Sequence, residues 1–254
     1  MAGFVGKIEN MAKDLWHKMG GGGGGKQKNA SGRPSQGNSN SAQGAAANKP
    51  LGHIFGRSLA EAVALEPPGT SVPWILSSAT LYLATNGLET EGLFRVPGNA
   101  QAIERLKGQM DQGELTEIPA DSEVNDVAGL LKLYVRQLPD PLLPFHLYRD
   151  FVDAASLEEE EERKARVRLL ASSLKEENAA ALGCLMRTLH SVSLRSDKNR
   201  MSSANLAVVF APNLLHAKEE TMEQLMRDQA ACETVVRMLV EDPSLLGVSG
   251  EEVR

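Results

Sequence analysis

The sequence predicts an all-α fold, a single multi-helix domain preceded by a flexible amino-terminal tail. From about residue 55 onward, apolar residues recur at spacings of three and four, the period of helices with one buried face. Strand-like alternation is missing, except that residues 207–210 are ambiguous between strand and helix. Aromatic residues make up only 4% of the chain, so Leu, Val, Ala and Met must fill the core.

Residues 1–19 form a basic, amphipathic segment. Its apolar residues on one side of a helical projection are Phe4, Ile8, Leu15 and Met19. Such a pattern over residues 4–19 is typical of a helix that lies in an anionic membrane interface. Two glycines in the segment weaken any helix, so a disordered or partner-docked tail is an equal alternative.

Residues 20–50 are rich in Gly, Ser, Asn and Gln and too poor in apolar residues to offset the entropy of ordering, so we interpret them as a flexible linker. Residues 20–26 fit the phosphate-loop spacing G-x-x-x-x-G-K. However, Gln27 stands where the magnesium-binding Ser or Thr belongs and no strand precedes the motif, which argues against a nucleotide site. The helical domain is then expected over residues 51–247, followed by a short tail over 248–254.

Capping residues and helix breakers divide the domain into successive helices. The predicted helices are Pro73 to Asn86-Gly87, Asn99 to about Met110, Asp121-Ser122 to Pro139, a short one around Phe151, a charged one over 157–174, one over about 182–192, one from Ser202 to Ala211-Pro212, and a long one from Thr221. The five glutamates at 158–162 are interpreted as a solvated helix face rather than a metal site.

Charge and composition exclude several classes of function. Residues 1–50 carry seven Lys or Arg against two acids, a net charge of +5. Since the whole chain has a formal net charge of −6, residues 51–254 have a net charge of −11. An acidic body argues against nucleic-acid binding, which needs a basic face. Two cysteines on apolar stripes suggest reduced thiols in an intracellular protein. Since no apolar run approaches the ~20 residues of a membrane span and no secretory leader opens the chain, the cytoplasm is the expected compartment, peripheral at membranes if the tail binds them.

Conventional active sites are not evident in the sequence. Its five histidines are scattered, with no His-x-x-x-His pair and no Cys/His cluster at zinc spacing. The nucleophile elbow G-x-S-x-G is also absent. We therefore expect no metal and no independent catalytic centre.

One arginine stands between apolar residues in residues 92–98, Gly-Leu-Phe-Arg-Val-Pro-Gly, a segment bounded by glycines and a proline. Directly after it, Asn99 is a good N-cap for the following helix. We therefore expect Arg95 to lie in a tight loop between two helices. The neighbours expected to pack inward and hold it are Leu93, Phe94 and Val96.

The helix after Asp121-Ser122 carries a second stripe opposite its apolar face, formed by Asn125, Gly129, Lys132 and Arg136. A glycine on this side keeps the surface low, so that another surface can approach. Solvated side chains without a function are the alternative, because cations one turn apart repel each other only mildly.

Asn205 is placed in the first turn of an otherwise apolar helix, where an amide is a poor helix former unless it has a partner. An inward amide that bonds a neighbouring loop is as consistent with the pattern as a ligand contact. Together with the cations, such an amide could stabilise negative charge but could not run a reaction unaided.

Three blocks of the sequence resemble the signature blocks of the Rho GTPase-activating (RhoGAP) domain family. They are residues 92–98, residues 130–142 (Leu-Leu-Lys-Leu-Tyr-Val-Arg-Gln-Leu-Pro-Asp-Pro-Leu) and residues 205–213 (Asn-Leu-Ala-Val-Val-Phe-Ala-Pro-Asn). The blocks occur in the family's order, and together they are highly specific. The resemblance covers roughly residues 55–245, whereas residues 1–50 match nothing in the domain.

The resemblance implies a helical domain that binds Rho- or Rac-class small GTPases in the GTP-bound state and accelerates GTP hydrolysis. Arg95 falls on the family's arginine finger, which is supplied in trans. Lys132 and Arg136 match basic positions that contact the GTPase and support the finger loop, Asn205 matches an amide that binds near the switch segments, and Asn199 is expected to assist it. Such an activator needs no cofactor of its own, since the partner carries GTP and magnesium, and it is not an enzyme in its own right.

Two other functions stay open at this point. One is a module that captures Rho-class GTPases without stimulating hydrolysis, as a domain lacking the finger would do. The other is a helical adaptor unrelated to GTPases. The joint presence of Arg95, Lys132, Arg136 and Asn205 favours an activator.

Overall fold

The protein is described by a computed structural model over residues 53–219 and 221–247. Within these ranges the chain forms ten α-helices and two short 3-10 helices and no strand, so the all-α prediction is confirmed. The α-helices are α1 (Leu59–Val63), α2 (Trp74–Asn86), α3 (Ala100–Asp111), α4 (Val124–Arg136), α5 (Tyr148–Ala155), α6 (Glu160–Ala171), α7 (Glu176–Ser193), α8 (Ser196–Asn199), α9 (Ser203–Leu214) and α10 (Met222–Glu241). The 3-10 helices are Phe145–Leu147 and Pro243–Leu246. The predictions made for residues 1–50 and 248–254 lie outside the described residues.

A continuous apolar core holds the helices together, as the spacing of three and four predicts. In α7 the predicted inner positions Leu182, Leu185, Leu189 and Val192 are all fully buried. α2 packs against α4 and α7, and α9 packs against α10. Ambiguous residues 207–210 are helical and lie inside α9.

Three predicted N-caps form as expected. The Asn99 side chain accepts hydrogen bonds from the amides of Gln101 and Ala102. Ser202 caps α9 through the Asn205 amide, and Thr221 caps α10 through the Gln224 amide. Each of these starts is set by a side chain within three residues of its partner, which is why local sequence predicts it.

The predicted start of α4 at Asp121-Ser122 is wrong. The helix begins at Val124, and Glu123 occupies the cap position without a side-chain bond. The reason lies in tertiary structure, because the main-chain oxygen of Ser122 accepts a hydrogen bond from the Tyr82 hydroxyl of α2. Residues 119–122 form a turn of their own, with the Ser122 amide bonded to the Pro119 oxygen at 3.0 Å, and Glu123 is extended before the helix begins.

The predicted stop of α9 at Ala211-Pro212 is also wrong. The helix continues through Leu214 with Pro212 inside its last turn. A proline removes one hydrogen-bond donor, but Ala211 and Leu214 remain buried on either side of it. Burial of this apolar turn therefore outweighs one missing hydrogen bond.

Helix α6 spans Glu160–Ala171 and is therefore shorter than the predicted helix over 157–174.

In the described part of the chain, no helix combines the length and the apolar character that crossing a bilayer would require.

Candidate functional site

The connection between α2 and α3 contains Arg95, as predicted. Leu93 and Phe94 are fully buried, whereas Arg95 is exposed. The expectation that Val96 packs inward is wrong, because its side chain is 43% exposed. The amides of Arg95 and Val96 both donate to the Gly92 oxygen at 2.8 Å, which folds the segment into a tight turn. Val96 then lies across Gly92, so close that a Cβ at residue 92 would be 2.6 Å from Val96 Cγ2.

Phe94 adopts a left-handed backbone conformation with φ of 70°. For a bulky residue this conformation is unusual and costs about 1–3 kcal/mol. The surrounding structure compensates, since the Phe94 ring is buried edge-to-face against Phe210 of α9 with 5.0 Å between ring centroids. Arg95 is therefore carried outward by a residue that is itself anchored inward.

Residues 92–99, here named the Arg95 loop, are held at three points by two other helices, α8 and α4. At its start, the Gly92 amide donates to the Asn199 oxygen at 2.8 Å. In its middle, the Lys132 ammonium donates to the Phe94 oxygen at 2.5 Å. At its end, the Asn99 amide donates to Asp126 Oδ1 at 2.6 Å. A loop held in this way has little backbone freedom to lose on binding, so mainly the Arg95 side chain has to be ordered.

The cations of α4 lie beside this loop. Lys132 is half-buried, and burial lowers the pKa of its ammonium, with a smaller contribution from the charge of Arg136. Arg136 is exposed at the last residue of α4. Among the described residues no carboxylate forms an ion pair with Arg95, Lys132 or Arg136. Their charges are therefore available to an anionic partner.

Gly129 does not leave the space that we expected it to leave for another protein. A Cβ at this position would overlap with Ile103 Cδ1, so the surface that approaches α4 here is α3 of the same chain. The glycine allows these two helices to pack closely, and through α3 it helps to fix the end of the Arg95 loop.

Asn205 is exposed in the first turn of α9, and its side-chain nitrogen donates to the Arg200 oxygen at 3.0 Å. The amide therefore bonds a neighbouring loop, as one interpretation of the sequence expected, but it does so at the surface and not from the core. Arg200 itself has a left-handed conformation with φ of 61° at the end of α8.

Asn199, expected to assist Asn205 at the surface, is fully buried. Its side-chain nitrogen donates to the oxygens of Leu88 at 2.7 Å and Val192 at 2.8 Å. Its side-chain oxygen accepts from the Met201 amide at 2.7 Å. In this position Asn199 supports the loop from inside and has no surface to offer to a partner.

Lys132 contacts the Arg95 loop directly, Arg136 lies one turn further along α4, and Asn205 is connected to the loop through Arg200 and the buried Asn199. Within residues 53–219 and 221–247, no group of His, Cys, Asp or Glu side chains is arranged to hold a metal ion. This set of cations and an amide can neutralise negative charge on a partner. The sequence did not identify Asp126 as a residue that holds the Arg95 loop. The only indication of this role was its position in the first turn of α4.

Comparison with known proteins identifies one family to which the sequence is similar. A sequence model of the RhoGAP domain matches residues 73–219. Rho GTPase-activating protein gacY of Dictyostelium discoideum is 36% identical over 194 residues, which cover 76% of this chain and 27% of that protein. Rho GTPase-activating protein 25 of Mus musculus is 34% identical over 204 residues, which cover 79% of this chain and 32% of that protein. The chain therefore spans about a third or less of the length of these curated relatives.

Solved structures agree with the sequence comparison. The crystal structure of human Rho GTPase activating protein 15 superposes with a TM-score of 0.70 at 27% identity, covering 76% of this chain and 92% of that one. The BH domain of GRAF, the GTPase regulator associated with focal adhesion kinase, superposes with a TM-score of 0.64 at 31% identity, covering 70% of this chain and 96% of that one.

Proposed function

The chain belongs to the RhoGAP domain family, and from this premise we propose that it binds GTP-loaded Rho-class small GTPases and accelerates their GTP hydrolysis by inserting Arg95 in trans. The observation that carries this proposal is an exposed arginine, without an ion-pair partner among the described residues, on a loop that α8 and α4 hold in place at three points. Membership of the family alone would not distinguish an activator from a domain that only binds.

The chemistry asked of Arg95 is electrostatic. In the transition state of phosphoryl transfer, negative charge is spread over the oxygens of the transferred group and the oxygen that bridges it to the leaving phosphate, and a guanidinium placed beside them stabilises it. An arginine finger of this kind contributes ~10³–10⁵ in rate, or roughly 4–7 kcal/mol of barrier. The Arg95 carbonyl would at the same time help to seat the glutamine of the GTPase that orients the attacking water.

In this mechanism, the backbone of the Arg95 loop is pre-organised before the partner binds. The backbone that carries Arg95 is already fixed, so only the exposed side chain has to be ordered when the reaction occurs, which lowers the cost of reorganisation. The left-handed Phe94, the Lys132 bond to its oxygen and the buried Phe210 ring are the features that fix it here.

The neighbouring residues receive supporting roles. We assign Lys132 to the support of the Arg95 loop, and Arg136 and Asn205 to contact with the GTPase. The partner carries GTP and magnesium, so this domain contributes a side chain rather than an active site of its own. Asn199 receives no contact with the partner, because it is buried.

Phosphate release from purified GTP-loaded Rho and Rac proteins, with a Ras-class protein as the control substrate, tests the proposal. We expect stimulation for at least one Rho-class protein and none for the control. Binding to GTP-loaded Rho or Rac without stimulation would indicate a non-catalytic capture module instead. Absence of binding to every Rho-class protein would leave a helical adaptor as the better interpretation.

For the amino-terminal segment, the basic amphipathic pattern over residues 4–19 supports a contact with anionic membranes, which would place a cytoplasmic activator beside lipid-anchored GTPases. Removal of residues 1–19 should reduce co-sedimentation with vesicles containing phosphatidylserine and leave activity in solution unchanged. Equal sedimentation of both forms would contradict this role.

A further inference from the structure

We propose that Asn199 is a positioning residue that joins the Arg95 loop to the first turn of α9, so that the finger and the exposed Asn205 approach the partner as one unit. The proposal rests on the proposed function for its kinetic consequence, but its structural content stands on hydrogen bonds alone.

Asn199 is bonded on all sides inside the fold. Its main-chain oxygen accepts from Gly92, the first residue of the Arg95 loop, at 2.8 Å. Its side-chain nitrogen reaches Leu88, in the turn before that loop, and Val192, near the end of α7. Its side-chain oxygen accepts from Met201 at the approach to α9. One residue therefore links the two segments that carry Arg95 and Asn205.

Burial makes this link strong. Asn199 is 0% exposed, so water cannot replace any partner that is lost. A buried carbonyl left without a donor costs about 1–3 kcal/mol, which favours the bonded arrangement over alternatives. Met201, the residue bonded to the Asn199 side-chain oxygen, is also fully buried.

The link continues to the surface on the α9 side. Arg200 lies between Asn199 and Met201 in a left-handed conformation, and its oxygen accepts from the Asn205 side chain at 3.0 Å. The orientation of the Asn205 amide thus depends on the same turn that Asn199 fixes. A change at Asn199 should disturb both contact elements, although it touches neither the partner nor the phosphates.

Asn178 offers a matched control. It is a second buried asparagine, 7% exposed, and its side-chain nitrogen donates to the Leu142 oxygen at 3.1 Å. Asn178→Asp and Asn199→Asp make the same chemical change, since a carboxylate cannot donate to the carbonyl that faces it. Asn199→Asp keeps the main-chain bond to Gly92 but removes the donor to Leu88, in the turn before the Arg95 loop, whereas the bond of Asn178 goes to Leu142.

Single-turnover hydrolysis at increasing concentrations of the domain separates positioning from folding. We expect Asn199→Asp to lower the rate at saturation by about 10–100-fold, the effect of displacing a catalytic group by about 1 Å. Asn178→Asp should leave that rate at the wild-type value even where its thermal stability falls as much. Equal saturated rates for Asn199→Asp and wild type, or equal losses for the two variants, would overturn the proposal.

Amide hydrogen exchange on the unmodified protein tests the link without any variant. The amides of Gly92 and Met201 both donate to Asn199, so they should open together, with protection factors within about tenfold of each other. A Gly92 amide that exchanges more than about a hundredfold faster than the Met201 amide would overturn the link. A wild-type domain that stimulates no GTPase would refute the proposed function, and the exchange measurement would still decide whether Asn199 joins the two segments.

Discussion

The Lys132 ammonium donates a hydrogen bond to the main-chain oxygen of Phe94 over 2.5 Å, and Phe94 is the residue directly before Arg95. Because Phe94 has an unfavourable left-handed conformation, a donor on its carbonyl helps to maintain the turn that exposes the arginine. A cation on α4 therefore supports the turn that carries Arg95.

Replacing Lys132 with methionine tests this relationship. The change keeps the aliphatic stem but removes the donor, so we expect the saturated single-turnover rate to fall by about 10–100-fold through loss of finger positioning. Lys107→Met is the control, because Lys107 is also half-buried but lies over the Phe55 ring at 5.7 Å and away from the loop. A wild-type rate for Lys132→Met would contradict the role given to this bond.

The ionisation of Lys132 should make the free energy of unfolding of the domain depend on pH in the alkaline range. Burial lowers the pKa of its ammonium below the usual 10.5, so at a pH between the lowered value and 10.5 the unfolded chain binds more protons than the folded one. The free energy of unfolding of the wild type, relative to Lys132→Met, should therefore rise with pH across that window and stay constant below it. Denaturant unfolding of both proteins between pH 7 and 10.5 measures this difference. A difference that falls over the window would refute the buried environment described for Lys132.

Replacing Gly98 or Gly108 with alanine should change the stability of the domain in opposite directions. A Cβ at Gly98 would lie 2.5 Å from the Asn125 oxygen and 2.6 Å from Asp126 Oδ1, so Gly98→Ala must displace the Arg95 loop from α4. We expect a loss of about 1–3 kcal/mol of stability, the usual cost of overpacking, together with a lower stimulated rate. Gly108 in α3 has open space around it, and Gly108→Ala should stabilise the domain by about 0.5–1 kcal/mol through helix propensity. Thermal unfolding distinguishes the two, and a stabilising Gly98→Ala would contradict the close contact.

The approach of α3 to α4 can be tested with a double-mutant cycle at Gly129 and Ile103. In the wild type, an alanine Cβ at residue 129 would overlap with Ile103 Cδ1, which should cancel the gain in helix propensity. Ile103→Val removes that methyl group, so Gly129→Ala should be more stabilising by about 0.5–1 kcal/mol in the Ile103→Val background than in the wild type. Denaturant unfolding of the four proteins gives this coupling. Additive effects would show that the two side chains do not meet.

Sequence reasoning succeeded where a feature is local. The caps at Asn99, Ser202 and Thr221 use partners two or three residues away, and the fully buried face of α7 follows from its period alone. It failed where a distant residue decides the outcome. The main-chain oxygen of Ser122 is bonded by Tyr82 of α2, and α4 begins only at Val124, with Glu123 in the cap position.

The candidate site shows the same division. Exposure of Arg95 in a tight loop was predictable from its flanking glycines and proline. The left-handed Phe94 was not, because its backbone is held by Lys132 and its ring by Phe210, which are 38 and more than 100 positions away in the chain. Asn199 was expected to assist Asn205 in contacting a GTPase, and its local sequence does not reveal that its side chain is bonded to Leu88, Val192 and Met201 inside the fold.

The central claim is that Arg95 acts on the phosphates of a different molecule, and a single-turnover titration of Arg95→Ala tests it most directly. The control is Arg168→Ala, which removes another exposed arginine, from α6. With a GTP-loaded Rho-class protein that wild type stimulates, Arg95→Ala should bind with an unchanged half-saturating concentration, while its saturated rate falls by ~10³-fold or more. Arg168→Ala should match the wild type in both quantities. A saturated rate for Arg95→Ala within a few-fold of the wild-type rate would contradict the account.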